Sequence, residues 1–347
     1  MKISGNYPIP NNMTIMGWDI GGANLKAARL HDADLEVMQR PFAMWQRRDE
    51  LVEALMDIAL QLGPAQWVGV TMTAELSDAF RTKREGVQFV LEAMQAALPE
   101  VELRVFGVDG QFYDVATAYE QPLLVAAANW MATALIVARS VATCLLVDIG
   151  STTTDIIPIV EGQVMARGRT DPQRLINGEL LYTGALRTPV FAVVRRVPLW
   201  GSWCPVAAEH FATMQDVYLL LDHVAPEACT SPSADGRPIT AEFAAERLAR
   251  LVCADIELVS RPQLYGLAQY IAAEQVRQIA EAIAQVTSGN LAQGPLVAAG
   301  VGTFLVQAAA AQLGLNCLPL EVELGRAASD VAPAVALTLL LAGQEHV

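Results

Sequence analysis

Short apolar runs alternate with longer segments of helical periodicity along this chain. In the first half, runs of strand length precede segments in which every third or fourth residue is apolar, an order that predicts alternating strands and helices. The predicted strands are two within residues 14–30 and one each at residues 35–42, 67–72 and 103–106. The predicted helices cover residues 50–62, 84–98 and 123–138, the last entered through Pro122.

The second half begins with a predicted strand at residues 143–148, and β-structure continues to about residue 164. Further along, helices are predicted at residues 241–254, at residues 262–287 and from Arg326, and a strand–turn–helix unit at residues 295–313. The alternation of strands and helices is typical of an α/β fold. We expect two domains, residues 1–140 and 141–347, the second carrying an inserted substrate-recognition region at about residues 168–260.

Two strand–turn–strand segments carry the same pattern of acidic and glycine residues. Residues 147–155 are Val-Asp-Ile-Gly-Ser-Thr-Thr-Thr-Asp, and residues 18–26 are Trp-Asp-Ile-Gly-Gly-Ala-Asn-Leu-Lys. In an alignment of the two segments, Asp19 matches Asp148, Gly21 matches Gly150, and Lys26 matches Asp155. One such turn is typical of an ordinary hairpin. Because the pattern occurs twice, it predicts two related halves whose turns face one phosphate group.

The two turns supply most of the candidate phosphate ligands. Glycine lets a backbone approach a ligand closely, and successive turn amides form a concavity that binds anions. The predicted phosphate-binding residues are Gly21, Gly22, Gly150, Ser151, Thr152, Thr153 and, from a Gly-X-Gly turn that opens the last predicted helix, Gly300 and Gly302. Asp19 and Asp148 are the candidate anchors for Mg²⁺, which bridges carboxylate and phosphate oxygens. For Lys26, the alternatives are a solvated strand lysine or an ion pair with Asp155.

The amino-acid composition limits the kinds of molecule that this protein is expected to bind. Hydrophobic residues make up 53% of the 347 residues and charged residues 17%, which excludes a disordered chain. The formal charge of −14 argues against a general nucleic-acid binder, and it means that an anionic substrate needs local cations or amides. Five scattered cysteines without a CxxC suggest neither a zinc site nor a disulfide framework.

The expected cellular location of the protein depends on two apolar segments and on the N-terminus. The segments at residues 123–137 and 331–342 are predicted to be buried helices, because the first contains Asn129 and the second is too short to span a membrane. Residues 1–12 have no apolar core of signal-peptide length. We therefore expect a cytoplasmic protein without a membrane partner. The apolar content allows a homodimer but does not require one.

The paired turns, together with the late Gly-rich turn, resemble the actin/heat-shock-chaperone/sugar-kinase superfamily, and within it the hydantoinase/oxoprolinase-related branch. This resemblance implies two ribonuclease-H-like domains with mixed sheets around a central cleft. Further motifs resemble the tetrahydromethanopterin-linked one-carbon-transfer protein family, which includes furanylmethanamine synthases of methanofuran biosynthesis. The motifs that carry this second resemblance lie at residues 19–26, 71–80, 83–87, 126–130 and 181–189.

The family resemblance implies alkyl transfer, not phosphoryl transfer. An aminomethylfuran that carries a methyl diphosphate would donate its furfuryl carbon to the phenol oxygen of a γ-glutamyl-tyramine or of tyrosine. Diphosphate would leave, an aryl ether would form, and Mg²⁺ would neutralise charge on the leaving group. Three alternatives stay open: an ATP-dependent kinase or ATPase of the same superfamily, a non-catalytic assembly or regulatory protein, and a hydantoinase-like hydrolase, although the sequence offers no histidine cluster for the last.

Candidate side chains can be matched to each part of this reaction. The catalytic candidates are Lys26, Glu75, Asp109 and Asp155; Glu75 and Asp109 are possible bases, with turn capping as the alternative, and Glu75 could instead bind the aminomethyl ammonium. The substrate-binding candidates are Asn129, Tyr182 and Arg187, the last for the glutamyl carboxylate or for a surface ion pair. Trp130, Tyr182 and Phe80 are candidates for aromatic contacts or for core packing.

Overall fold

The computed structural model describes residues 13–229, 231–289 and 294–344, which form two compact units. The first unit comprises the chain up to residue 144, residues 157–174 and the chain from residue 319 onwards. The second comprises residues 145–156 and 175–318. The predicted α/β class is confirmed, and both sheets are mixed. Residues 1–12, for which no signal peptide is expected, lie outside the described residues.

The first unit is built on a six-stranded sheet. Its strands are β1 Thr14–Ile20, β2 Asn24–His31, β3 Asp34–Pro41, β4 Trp67–Met72, β5 Leu103–Phe106 and β6 Phe112–Tyr113, in the order β3-β2-β1-β4-β5-β6. Strand β1 pairs antiparallel with β2 and parallel with β4. The helices of this part of the chain are α1 Met44–Arg47, α2 Leu51–Leu62, α3 Lys83–Ala97, α4 Val115–Glu120, α5 Pro122–Val125 and α6 Asn129–Ser140.

The predicted helix over residues 123–138 is interrupted in the structure. Helix α5 ends at Val125, and α6 begins only at Asn129. Between them, Ala126 forms a parallel bridge with Met72, and Ala127 has a φ of 52°. The apolar composition of this segment favours a helix, but Ala126 pairs with the last residue of the interior strand β4, and the helix is interrupted at this pairing.

The middle of the chain forms a second sheet. Its strands are β7 Cys144–Ile149, β8 Thr154–Val160, β9 Gln163–Val164, β10 Leu180–Leu181, β13 Leu296–Ala299 and β14 Cys317–Pro319, in the order β10-β8-β7-β13-β14 with β9 paired to β8. Strands β11 Arg196–Leu199 and β12 Ser202–Pro205 form a separate hairpin. The helices are α7 Asp171–Asn177, α8 Val190–Val193, α9 Met214–Leu220, α10 Ala241–Arg250, α11 Arg261–Gly289 and α12 Thr303–Leu313.

The C-terminal part of the chain returns to the first unit. It forms the short helices α13 Glu321–Leu324 and α14 Arg326–Ser329 and then α15 Ala332–Gln344. Helix α15 packs against β1, β4 and α6, and almost all of its residues are buried, as the apolar pattern predicted. Gly17 allows this close approach, since a Cβ there would lie 2.1 Å from the Ala334 carbonyl oxygen.

The opposite face of the first sheet packs against α2 and α3. Trp18 and Ile20 of β1 are fully buried in this core together with Leu55 of α2 and Val90 of α3. None of the helices described is long and apolar enough to cross a membrane. The five cysteines are free thiols. The predicted cytoplasmic location and the possible homodimer stay predictions.

Candidate active site

The first acidic-glycine turn lies at the end of β1. Gly21 N donates to the Asn24 carbonyl at 3.0 Å and closes the turn into β2, while Thr73 N, just beyond β4, donates to the Ile20 carbonyl at 2.9 Å. A Cβ at residue 21 would lie 2.7 Å from the Asn24 oxygen, so this position requires glycine. A Cβ at residue 22 would meet nothing within 4 Å, which leaves the second glycine open to a ligand.

Asp19 and Lys26 face each other across this turn. They are register partners in the antiparallel β1–β2 pair, and the Asp19 side chain is buried. Burial raises the pKa of Asp19, and the nearby Lys26 ammonium lowers it. Asp19 Oδ1 has no hydrogen-bond partner in the described part of the chain. A buried carboxylate oxygen in this state is suited to bind a cation.

Glu75 lies beyond the end of β4, in a 3-10 helix over Ala74–Leu76. Its side chain is fully buried, and neither carboxylate oxygen has a hydrogen-bond partner among the residues described. Lys83 Nζ is 3.6 Å from Glu75 Oε1 and 2.5 Å from Asp171 Oδ2. Burial raises the Glu75 pKa to about 7, although the Lys83 charge lowers it. The predicted base is therefore the buried member of a cluster of three charged side chains.

Asp109 has a different environment. It is exposed in the turn between β5 and β6, and its carboxylate accepts from Tyr113 Oη at 2.5 Å and from Gln111 N at 3.2 Å. These are the contacts of a turn-capping residue, the alternative given for Asp109 above. Its catalytic role stays a prediction.

Asn129 and Trp130 begin helix α6, close to the end of β4. Asn129 is half-buried, whereas Trp130 is buried under the guanidinium of Arg174, which lies 4.0 Å from the ring centroid. Phe80 is half-buried and contacts Phe89, with 5.2 Å between ring centroids. Trp130 and Phe80 thus have the packing expected of core residues, and Asn129 remains accessible to a ligand.

The second acidic-glycine turn repeats the hydrogen-bond pattern of the first. Gly150 N donates to the Thr153 carbonyl at 2.9 Å, and Gly302 N, just beyond β13, donates to the Ile149 carbonyl at 2.9 Å. Strands β13 and β7 are parallel, with Ala299 opposite Asp148. In each unit, therefore, an acidic residue lies one position before the end of the strand, and a hydrogen bond closes the turn that follows. A residue just beyond the neighbouring parallel strand donates to the last carbonyl of the first strand. That the two turns face one phosphate group stays a prediction.

The segment over residues 183–188 wraps around the second turn. Ala185 N donates to the Gly150 carbonyl at 2.9 Å, and Arg187 N to the Ser151 carbonyl at 2.8 Å. Gly184 lies directly on the turn backbone, because a Cβ there would be 2.6 Å from Thr152 N. The candidate Arg187 is therefore at the turn. Tyr182 is 63% exposed, so it is available for a ligand contact.

The late Gly-rich turn also lies against the second turn. Gly300 has a φ of +80°, and a Cβ there would lie 2.4 Å from Asp148 Oδ1 and 2.4 Å from the Ile149 carbonyl oxygen. Gly302 precedes α12, and no side chain caps the N-terminus of this helix. The structure thus places Gly300, Gly302 and the turn at residues 150–153 around Asp148. Asp155 follows on β8, opposite Leu180 of β10.

The acidic residues of the turns fit a Mg²⁺ ion only with help from other ligands. Asp19 offers an unpartnered buried oxygen in the described part of the chain, and Asp148 Oδ1 lies close to the Gly300 backbone, where a Cβ would be 2.4 Å away. No group of three or more His, Cys, Asp or Glu side chains lies together at metal-binding distance within the described ranges. Mg²⁺ is commonly held by one or two carboxylates plus water and substrate phosphates, so either carboxylate, taken within its own unit, is a suitable donor.

Sequence reasoning did not identify the partners of Glu75. Lys83 and Asp171 were part of motifs and polar segments, but they are 88 residues apart in the chain, and no local pattern indicates that they meet. Gly184 and Gln275 were also not assigned a role. Gln275 Nε2 donates to Thr183 Oγ1 at 2.7 Å and to the Gly184 carbonyl at 2.9 Å, which fixes the segment that wraps the second turn.

Comparisons with known proteins match this chain to one family. The hydantoinase/oxoprolinase family model matches residues 66–342. A Methanocaldococcus jannaschii protein is 34% identical over 334 residues, which cover 95% of this chain and 98% of that protein. It is named a furan-2-ylmethanamine synthase whose product carries a gamma-L-glutamylaminoethyl-phenoxymethyl group. A Methanococcus vannielii protein of the same name is 31% identical over 202 residues, covering 57% of this chain and 90% of that protein.

A solved structure is similar in fold. The nucleotide-free structure of acetone carboxylase covers 95% of this chain with a TM-score of 0.51 and 10% sequence identity, and 70% of that chain is covered. At this identity the likeness concerns the fold alone. It agrees with the actin-like fold class that the paired turns predict.

Proposed function

The chain belongs to the hydantoinase/oxoprolinase family, and from this membership and the site geometry we propose that it forms an aryl ether between a furfuryl carbon and a phenol oxygen. The observation that carries the proposal is the near full-length match to the Methanocaldococcus jannaschii synthase. The name of that relative describes a product in which a phenoxymethyl group joins the phenol and furan rings. The reaction belongs to the biosynthesis of a methanofuran-type coenzyme.

The donor in this proposal is an aminomethylfuranyl-methyl diphosphate. The bond between its furfuryl carbon and the bridging oxygen breaks, and the electron pair leaves with the diphosphate. The phenol oxygen forms the new bond to the same carbon, and the phenol proton passes to a base. The acceptor is a γ-glutamyl-tyramine or tyrosine-type phenol, and the reaction is an alkyl transfer.

The glycine turns supply the environment for the departing diphosphate. Around the second turn, backbone amides at residues 151–153, the hydroxyls of Ser151, Thr152 and Thr153 and the N-terminus of α12 offer donors to anionic oxygens. The Gly150 amide donates to the Thr153 carbonyl and closes the turn instead. At the first turn, Lys26 adds a positive charge in a chain whose net charge is −14. Mg²⁺ anchored by Asp19 or Asp148 would supply further neutralisation of the leaving group.

Glu75 is the proposed acceptor of the phenol proton. Its pKa of about 7 makes it a better base near neutral pH than an ordinary carboxylate. A free phenol has a pKa of about 10, so the proton is transferred as the ether bond forms. The transfer is direct or through one water. The alternative role of Glu75 is to bind the aminomethyl ammonium of the donor. In that case, replacing Glu75 should change the KM for the donor and not the pH dependence of the rate.

The substrate-binding residues are assigned by their chemistry. Arg187, whose backbone lies on the second turn, provides a guanidinium for the glutamyl carboxylate of the acceptor. Tyr182 offers an exposed ring for a flat substrate. Asn129, at the start of α6, offers amide hydrogen bonds to the aminomethyl group.

A direct assay tests this proposal. Purified protein is incubated with aminomethylfuranyl-methyl diphosphate, Mg²⁺ and either γ-glutamyl-tyramine or tyrosine, and mass spectrometry follows the ether while a coupled assay follows diphosphate. The expected result is equal amounts of ether and diphosphate with one of the two phenols. ATP turnover without ether formation would contradict the proposal and favour a kinase or ATPase. If the purified protein shows neither ether formation nor ATP turnover but binds a partner protein, an assembly protein would be favoured.

A further inference from the structure

The Glu75 side chain is held in an unusual setting. An ionised carboxylate in a fully buried position normally accepts several hydrogen bonds, because desolvation is costly. Neither Glu75 oxygen accepts one from the residues described. The cation close to it is Lys83, whose Nζ is 3.6 Å from Oε1, beyond hydrogen-bonding distance. Glu75 is thus stabilised as an anion mainly through the charge of Lys83.

Lys83 is shared unequally between two acids. Its Nζ lies 2.5 Å from Asp171 Oδ2, a direct charge-assisted hydrogen bond. The side chains of Lys83 and Asp171 are 20% and 15% exposed, so solvent screens this pair only in part. Asp171 therefore fixes the position of the ammonium and competes with Glu75 for it. The two neighbours act on Glu75 in opposite directions: Lys83 lowers its pKa and Asp171 raises it.

The packing of the backbone also brings Glu75 and Lys83 close together. Helix α3 begins at Lys83 and packs against the 3-10 helix that carries Glu75. At the contact, a Cβ on Gly86 would lie 2.5 Å from the Glu75 Cα and 2.7 Å from its carbonyl oxygen. Only glycine allows this approach. The packing of the two elements thus fixes the backbone positions from which both side chains extend, and Asp171 holds the Lys83 ammonium in place.

We propose that Lys83 is a positioning residue for ether formation: held by Asp171, it acts through Glu75 and keeps that buried carboxylate ionised to receive the phenol proton. This inference rests on the proposed function. It adds Lys83 and Asp171 to the site, and it assigns Glu75 the role of base in preference to binding of the ammonium. Lys83 already supplies this carboxylate with a nearby cation, whereas neither oxygen accepts a hydrogen bond from the residues described.

The inference predicts opposite effects for the two neighbours. The rate of ether formation should rise with pH through the ionisation of Glu75. In Lys83→Met the carboxylate loses its cation, so the rising limb moves to higher pH by about one unit or more. In Asp171→Asn the competing charge is lost, so the limb moves to lower pH by a smaller amount. Glu75→Gln should lose the limb altogether.

A matched control separates this effect from general damage to charge or fold. Asp57→Asn makes the same chemical change in the same unit, at an ion pair with Arg40 whose atoms are 3.3 Å apart. It should leave the pH profile of the wild type unchanged. Shifts of the two cluster variants in the same direction, or no shift in either, would overturn the inference.

A second measurement does not depend on turnover. The Glu75 carboxyl is titrated by NMR in ¹³C-glutamate-labelled full-length protein, its resonance assigned by its loss in Glu75→Gln. Its titration midpoint should move up in Lys83→Met and down in Asp171→Asn. An unchanged midpoint in a protein that makes the ether would overturn the inference and leave the proposed function in place. Opposite shifts in a protein that makes no ether would support the charge coupling and reject the function.

Discussion

At the scale of single residues, Asp19 is the clearest case in which an ionisable carboxylate is placed in a buried position. The turn motif identifies this residue from sequence, but the motif gives no indication that the side chain is buried with an unpartnered oxygen. Burial depends on the packing of α15, which lies more than 300 residues further along the chain and cannot be anticipated locally. The glycine and acidic residues of the turn could therefore be predicted from the sequence, whereas the burial of Asp19 and its effect on the pKa could not.

Asp19→Asn tests whether this carboxylate is kept for function at the expense of stability. Because burial raises its pKa, Asp19 contributes stability at low pH that is lost as pH rises through the folded-state pKa. We expect the variant to equal or exceed the wild type in free energy of unfolding at pH 8, measured with urea. Ether formation should fall by about a hundredfold or more, because a neutral amide would hold the proposed Mg²⁺ more weakly than the carboxylate. Asp34→Asn, an exposed change in the same sheet, should alter neither quantity.

Glu75→Gln has a pH-dependent stability that can be stated with its sign. The folded-state pKa is raised from 4.5 to about 7, so the wild type loses stability as pH rises across that interval. The amide does not titrate, and the wild type should lose about 3 kcal/mol relative to the variant over this range. Urea unfolding of both proteins between pH 4.5 and pH 8 measures the difference. Parallel curves would mean that Glu75 is not a buried titrating group.

At the scale of elements, the local pattern predicts strands, turns and most helices, but it does not predict how distant segments meet. The turn at residues 150–153 follows from its glycine and hydroxyl residues, whereas its contact with Gly184 follows from the three-dimensional fold. The break between α5 and α6 has the same cause, since the bridge between Ala126 and Met72 depends on β4. The Lys83–Asp171 contact likewise joins two elements that have no common sequence signal.

Gly184→Ala tests whether the wrapping segment shapes the second turn. The added methyl would lie 2.6 Å from the Thr152 backbone, so either the turn or the segment must move. Overpacking of this kind costs about 1–3 kcal/mol, and ether formation should fall further than the loss of stability explains. The matched control is Gly266→Ala in α11, where a Cβ meets nothing within 4 Å. This control should gain about 0.5–1 kcal/mol and keep full activity.

At the scale of the whole molecule, the fold class could be predicted because the two acidic-glycine turns are repeated in the same local context. Each unit places its turn between an antiparallel strand and a parallel strand, although the two turn sequences differ after the first glycine. The return of residues 319–344 to the first unit is a property of the folded chain, and a boundary drawn along the sequence does not anticipate it. The proposed reaction rests on the likeness to the Methanocaldococcus jannaschii synthase, because the turns alone do not distinguish alkyl transfer from phosphoryl transfer.

We propose that the protein transfers an alkyl group and that its glycine turns hold the departing diphosphate. The most direct test uses a donor labelled with ¹⁸O in the oxygen that bridges the furfuryl carbon and phosphorus, together with an unlabelled phenol. Alkyl transfer breaks the carbon–oxygen bond, so the account predicts that all ¹⁸O is found in the released diphosphate and none in the furan product. Retention of ¹⁸O on the furfuryl carbon would show cleavage of the phosphorus–oxygen bond and would contradict the account.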